Sequence, residues 1–276
     1  MTPDSDPTAA DRAPDSNVLD VEYTHEHVAR ILLARPDSLN AYNEALLRDL
    51  VPTLESLDEA LEVRAIILTG EGKGFCAGVD LDDMPLSADQ DLAEYERGLG
   101  LFQDVVATLR GMGTPVVAAV NGYAMGAGCD TALACDFRIA GESATMAETF
   151  VDVGFVPGDG GAYLLPRIVG EAKAKELIMT GKHVSGEALV EWGLARECVP
   201  DGDLQETAVE FAAELAEGPP VAIAHSKELV NEAFDVDLET AHEHATRAQR
   251  ICSQTEDHEE AVQAFAEDRE PEFTGN

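Results

Sequence analysis

Two stretches decide the reading, RAIILTGEGKGFCAGVDL at residues 64–81 and PVVAAVNGYAMGAGCDTALACD at residues 115–136. Each runs from an apolar, β-branched strand into a glycine-rich turn. The first turn predicts a helix start at Ala77-Gly78, the second at Gly126-Ala127-Gly128. Small residues there let a ligand approach the main chain closely. A helix amino terminus carries free N–H groups and a partial positive charge. Two such turns on neighbouring strands could aim two N–H donors, near Ala77 and Ala127, at one oxygen. Each donor of such an oxyanion hole is often worth ~3 kcal/mol in a transition state. Taken singly, either glycine cluster also reads as a plain tight turn. A dinucleotide motif starting at Gly126 and Gly128 fails because residue 131 is Thr, which disfavours a nicotinamide oxidoreductase, and GEGKG lacks P-loop spacing.

Outward from these turns, strands are expected at 18–24, 28–34, 65–69, 115–120, 136–140 and 145–151. Helices are expected at 43–61 and 90–110, and helical periodicity dominates from about Gly160 onward. Strands alternating with helices predict an α/β core of stacked ββα units. Residues 1–16 are acidic and Pro-rich and read as a disordered tail. Residues 17–203 form the expected core. Residues 204–276 form a helical region that could serve as a lid or an oligomer contact.

The 276 residues carry 54 acidic against 18 basic side chains, a net charge of −36. Such a surface argues against nucleic acid. It predicts a protein adapted to concentrated salt, where a Debye length of roughly 3 Å screens the carboxylates. No apolar run reaches the ~18 residues of a membrane span, and the start lacks the basic and apolar segments of a secretory signal. The five cysteines form no CxxC pair. They predict reduced thiols in a cytoplasmic protein and no zinc site.

FCAGVDL at residues 75–81, AAVNGYAMGAGCDTALACDFRIA at 118–140 and VGFVPGDGGAYLLPRIVG at 153–170 together resemble the enoyl-CoA hydratase/isomerase (crotonase) superfamily. The lead-in ILLARPDSLNAYN, the segment MTGKHVSGEALVEWGLARECVP and the terminal AFAEDREPEF extend the resemblance over nearly the whole chain. It implies a spiral of ββα units with a C-terminal helical trimerisation region, hence a homotrimer or a dimer of trimers. It also implies an acyl-CoA thioester as substrate, with coenzyme A part of the substrate and no separate cofactor. The oxyanion hole is then carried by the N–H groups of Ala77 and Ala127.

The same resemblance points to the acid/base set. One hydratase glutamate position is Asp130 here, and the other is Phe150, which transfers no proton. Glu148 and Asp152 lie two residues either side of Phe150. Asp159, in PGDGG, stands where several members with other reactions carry an acid; as a residue it also reads as a helix N-cap. Asp130 and Asp159 are the catalytic candidates, and hydration and double-bond isomerisation both stay open. A non-catalytic acyl-CoA binder of the same fold is the alternative. Expected substrate contacts are Arg35, Gly78, Val79, Asp80, Gly126 and Phe150. Phe265 and Arg269 join them from the last helical segment, where Asp268 replaces a lysine usual in the family.

Overall fold

The computed structural model describes residues 16–80 and 89–276. The expected tail lies, but for Ser16, outside the described residues.

Strands β1 (Leu19–His25) and β2 (Val28–Leu33) form an antiparallel hairpin that pairs Leu19 with Leu33. Beside β2 run β3 (Ala65–Gly70), β5 (Val116–Val120), β7 (Phe137–Gly141) and β10 (Glu197–Val199), all parallel. The sheet order is β1-β2-β3-β5-β7-β10. β3, AIILTG, is buried at every residue, which is why it reads as a continuous apolar run rather than an alternation.

A second sheet, unexpected from the sequence, has the order β4-β6-β8-β9. Its strands β4 (Gly74–Cys76), β6 (Tyr123–Met125), β8 (Thr145–Ala147) and β9 (Val184–Ser185) have three residues or fewer. Each of the first three directly follows a strand of the large sheet. The chain therefore winds as a spiral, large sheet, small sheet, helix.

Helix α1 (Glu44–Asp58) turns Leu46, Leu50, Leu54 and Leu57 into the core and is capped by Asn43, which accepts from the Leu46 N–H. α2 (Leu92–Gly111) starts with a reciprocal cap between Asp91 and Glu94. α3 (Ala127–Ala134) is wholly buried. α4 (Gly161–Val169), α5 (Glu171–Thr180) and α6 (Glu187–Glu191) follow. Ser185 ends β9, and Gly186 precedes α6.

α7 (Leu204–Ala216) lays Leu204, Ala208, Phe211 and Ala212 over Val28, Ile67, Val117 and Ile139 of the large sheet. The division expected at 204 thus assigns to the C-terminal region a helix that covers the core sheet. The chain leaves that sheet after α7, through Pro219 into α8 (Pro220–Glu232), α9 (Leu238–Cys252) and α10 (Glu256–Glu267).

Two side-chain amides, Asn40 buried and Asn121 partly so, tie the site loops to this frame. Asn40 donates to the carbonyls of Glu71 and Gly74, and its side-chain oxygen accepts from the Arg35 N–H. Asn121 bridges the N–H and carbonyl of Gly70. Each satisfies main-chain groups that no strand partner reaches.

Candidate active site

The first glycine turn leaves β4 as an extended segment. The expected helix start at Ala77-Gly78 is absent. Tyr42 donates its N–H to the Gly78 carbonyl at 2.7 Å, and Asp80 donates to the Tyr42 carbonyl at 2.9 Å, which makes a parallel bridge between Tyr42 and Val79. In such a bridge the central residue turns its own N–H to the opposite side. Val79 therefore presents its N–H away from Tyr42, with no partner for it among the described residues.

This corrects the donor expected at Ala77. The Ala77 N–H is spent on the Leu39 carbonyl at 3.0 Å. Gly78 has a φ of +94°, a left-handed value that re-aims the main chain between the two residues. The sequence places the donor two residues early because neither that φ nor the contact with Leu39 leaves a local signature.

The second turn behaves as expected. Gly126 has a φ of +50° and precedes α3, with no side-chain cap, so the Ala127 N–H is a free first-turn donor. The two turns interlock through glycines. A methyl group on Gly78 would lie 2.7 Å from the Met125 carbonyl oxygen and 3.8 Å from the Ala127 nitrogen. One on Gly128 would lie 2.1 Å from the Cys76 carbonyl oxygen.

Both donors line a cavity of about 400 Å³. Its walls include Tyr95, Phe102, Phe150 and Phe155, and Asp159 reaches it as well. Asp159 is 7% exposed, and one of its carboxylate oxygens is buried without a hydrogen-bond partner. Burial first, and the charge of Asp130 second, push its pKa up to about 7. Asp159 is not the helix cap, because Gly160 occupies that place without side-chain help. Asp159 also borders a larger cleft of about 940 Å³, between α2, α4 and the C-terminal helices.

The other expected residues divide. Phe150 is 9% exposed and lines the cavity, but on a single 3-10 turn, Thr149–Val153, rather than on a strand. Asp152 is exposed on the cavity rim. Asp130, expected as an acid/base group, is fully buried and lies behind the cavity wall, not on it. It packs with Glu148, which is 2% exposed. A methyl group on Gly161 would meet both carboxylates, at 2.2 Å from Asp130 and 2.7 Å from Glu148.

Arg35 is turned inward. It donates to the Ala41 carbonyl and holds Asp80 in an ion pair of 2.7 Å, clamping the Val79 segment from behind. Arg269, just past the end of α10, is spent on Glu260 and Glu267 of that helix. Phe265 is 91% exposed, and neither it nor Arg269 lines the cavity. Among the described residues no cluster of three or more His, Cys, Asp or Glu could hold a metal. No described helix is long and apolar enough to cross a membrane.

A spiral of ββα turns that brings two main-chain N–H groups to one apolar cavity is the architecture of an acyl-thioester enzyme. The family model for enoyl-CoA hydratase/isomerase matches residues 23–276, and the chain belongs to that family. It is 35% identical over 259 residues to the 1,2-epoxyphenylacetyl-CoA isomerase of Escherichia coli, covering 92% of this chain and 98% of that one. It is 36% identical over 246 residues to the short-chain-enoyl-CoA hydratase of Clostridium acetobutylicum, covering 89% and 93%. Among solved structures, the enoyl-CoA hydratase of Bacillus anthracis superposes with a TM-score of 0.89 at 36% identity, over 94% of this chain and all of that one.

Proposed function

We propose that this protein isomerises an enoyl-CoA thioester, with the N–H groups of Val79 and Ala127 gripping the carbonyl and Asp159 moving the proton. The observation that carries this reading is the buried carboxyl of Asp159 in the cavity that both donors line; Asp152, the other carboxylate there among the described residues, is exposed at the rim. The polarised carbonyl acidifies the α-carbon. Asp159, ionised, takes that proton, the two N–H groups hold the enolate, and the proton returns at the γ-carbon. Hydration calls for a second acid to orient water, and beside Gly126 stand the Thr149 hydroxyl and the Phe150 ring, neither of them an acid.

The C-terminal helices expose Phe234, Leu238, Val262 and Phe265, which supports assembly into a homotrimer or a dimer of trimers. Phe265 and Arg269 then reach coenzyme A from a neighbouring subunit. Coenzyme A enters as part of the substrate. The free cysteines support a reducing, cytoplasmic setting, and the charge of −36 supports work in concentrated salt.

The test incubates crotonyl-CoA and a 3-enoyl-CoA separately with the protein in high salt. Migration of the double bond in the 3-enoyl substrate, with slow or no hydration of crotonyl-CoA, is expected. Hydration without migration overturns the reading. Binding of coenzyme A with no turnover would make the chain a non-catalytic binder.

A further inference from the structure

Behind the cavity wall lies a pair of acids that the proposed chemistry does not use. We propose that Asp130 and Glu148 share a single proton, and that this carboxyl–carboxylate pair positions the Asp159 turn and fixes the charge that Asp159 meets when it ionises. The inference rests on Asp159 as the proton-transfer group.

Asp130 comes from the first turn of α3 and Glu148 from the end of β8. They are 0% and 2% exposed. Written as two carboxylates, they leave all four oxygens buried without a hydrogen-bond partner. Both press on the one spot at Gly161 where a side chain would begin, so they are immediate neighbours. Two carboxylates in that setting do not both ionise, because like charges out of water repel strongly. One shared proton turns the contact into a short, charge-assisted hydrogen bond.

The surroundings suit one negative charge rather than none. The Gly160 and Gly161 amides lie on the Asp130 side and favour its ionised form, and the Cys129 thiol does the same for Glu148. Burial outweighs them and raises both acids, Glu148 to about 7. The other titratable groups facing the pair are Cys129 and Asp159, with Tyr42 beyond Asp159. Gly160 and Gly161 follow Asp159 directly in the chain. Both acids pack against Gly161, two residues past Asp159, and so bear on the turn that points Asp159 into the cavity.

The experiment compares Asp130→Asn, Glu148→Gln and the double variant. An amide donates to the remaining carboxylate as the shared proton does, so each single variant keeps one negative charge. Each is expected to fold and to keep the midpoint of the acid limb of kcat where the parent has it. The double variant removes the charge, and its midpoint should fall by about one pH unit. A single variant that shifts the midpoint as far as the double one overturns the proposal, since both acids would then be ionised. A double variant with no shift overturns it as well.

Infrared spectroscopy supplies a reading independent of turnover. In Asp159→Asn protein the C=O stretch of a buried protonated carboxyl should persist, and adding Glu148→Gln should remove it. Its absence in Asp159→Asn protein overturns the shared proton even if no acyl-CoA proves to be a substrate.

Discussion

Replacing Asp159 with Asn should stabilise the fold at alkaline pH while it disables the reaction. The carboxyl is nearly fully buried, and its pKa rises from an ordinary 3.8 to about 7. Between those values the folded protein keeps a proton that the unfolded chain has lost. Stability from this group is therefore fully present below about pH 4 and is lost as pH rises to about 7. At about 1.4 kcal/mol per pH unit the loss amounts to roughly 4 kcal/mol, an upper figure for one residue. Asn has the same shape and no charge to bury. The stability difference between parent and variant, from denaturant unfolding at fixed high salt, should move in the variant's favour by up to that amount between pH 4 and 8. Taking the difference cancels the titration of Glu148 and Asp130 where the substitution leaves them unchanged. Over the same range the parent's kcat should rise with a midpoint near 7, because only the ionised acid takes a proton. The variant's kcat should be lower by about 10²- to 10⁴-fold. A pH-independent stability difference, or a variant within tenfold of the parent's kcat, refutes the argument.

Gly128→Ala should cost roughly 3 kcal/mol or more, because its methyl group would sit 2.1 Å from the Cys76 carbonyl oxygen, and kcat/KM should fall about 100-fold as the donors separate; unfolding curves and steady-state kinetics check both. Raising KCl from dilute buffer to 2 M should raise the melting temperature, because salt screens the charge of −36; an unchanged melting curve removes salt adaptation.

What was legible in the sequence follows from periodicity. The leucines of α1 and the apolar run of β3 carry strong, extended patterns, and both elements stand where they were expected. β4 and β6 are three residues long, too short for alternation, and they fall inside the expected glycine turns, whereas β8 lies at the start of the strand expected at 145–151. The Ala127 donor was legible because a glycine turn ahead of a helix leaves its first N–H groups free whatever surrounds it. The Val79 donor was not, since it depends on a bridge to Tyr42, 37 positions away in the chain. Asp130 aligned with a hydratase acid, but alignment does not reveal that its carboxylate turns inward onto Glu148. Asp159 was picked out by its place in PGDGG, and only the walls around it explain why its proton is held near neutrality.

Gly78 and Gly128 set the distance between the two turns by what they lack. Hydrogen at each position lets one main chain rest against the carbonyl oxygens of the other. The gauge of the carbonyl-binding gap is thus a pair of missing methyl groups, independent of the side chains at 79, 127 and 150. Those side chains can be exchanged to redirect the chemistry without resizing the grip. Any bulk at either glycine instead spoils the grip for every acyl group alike.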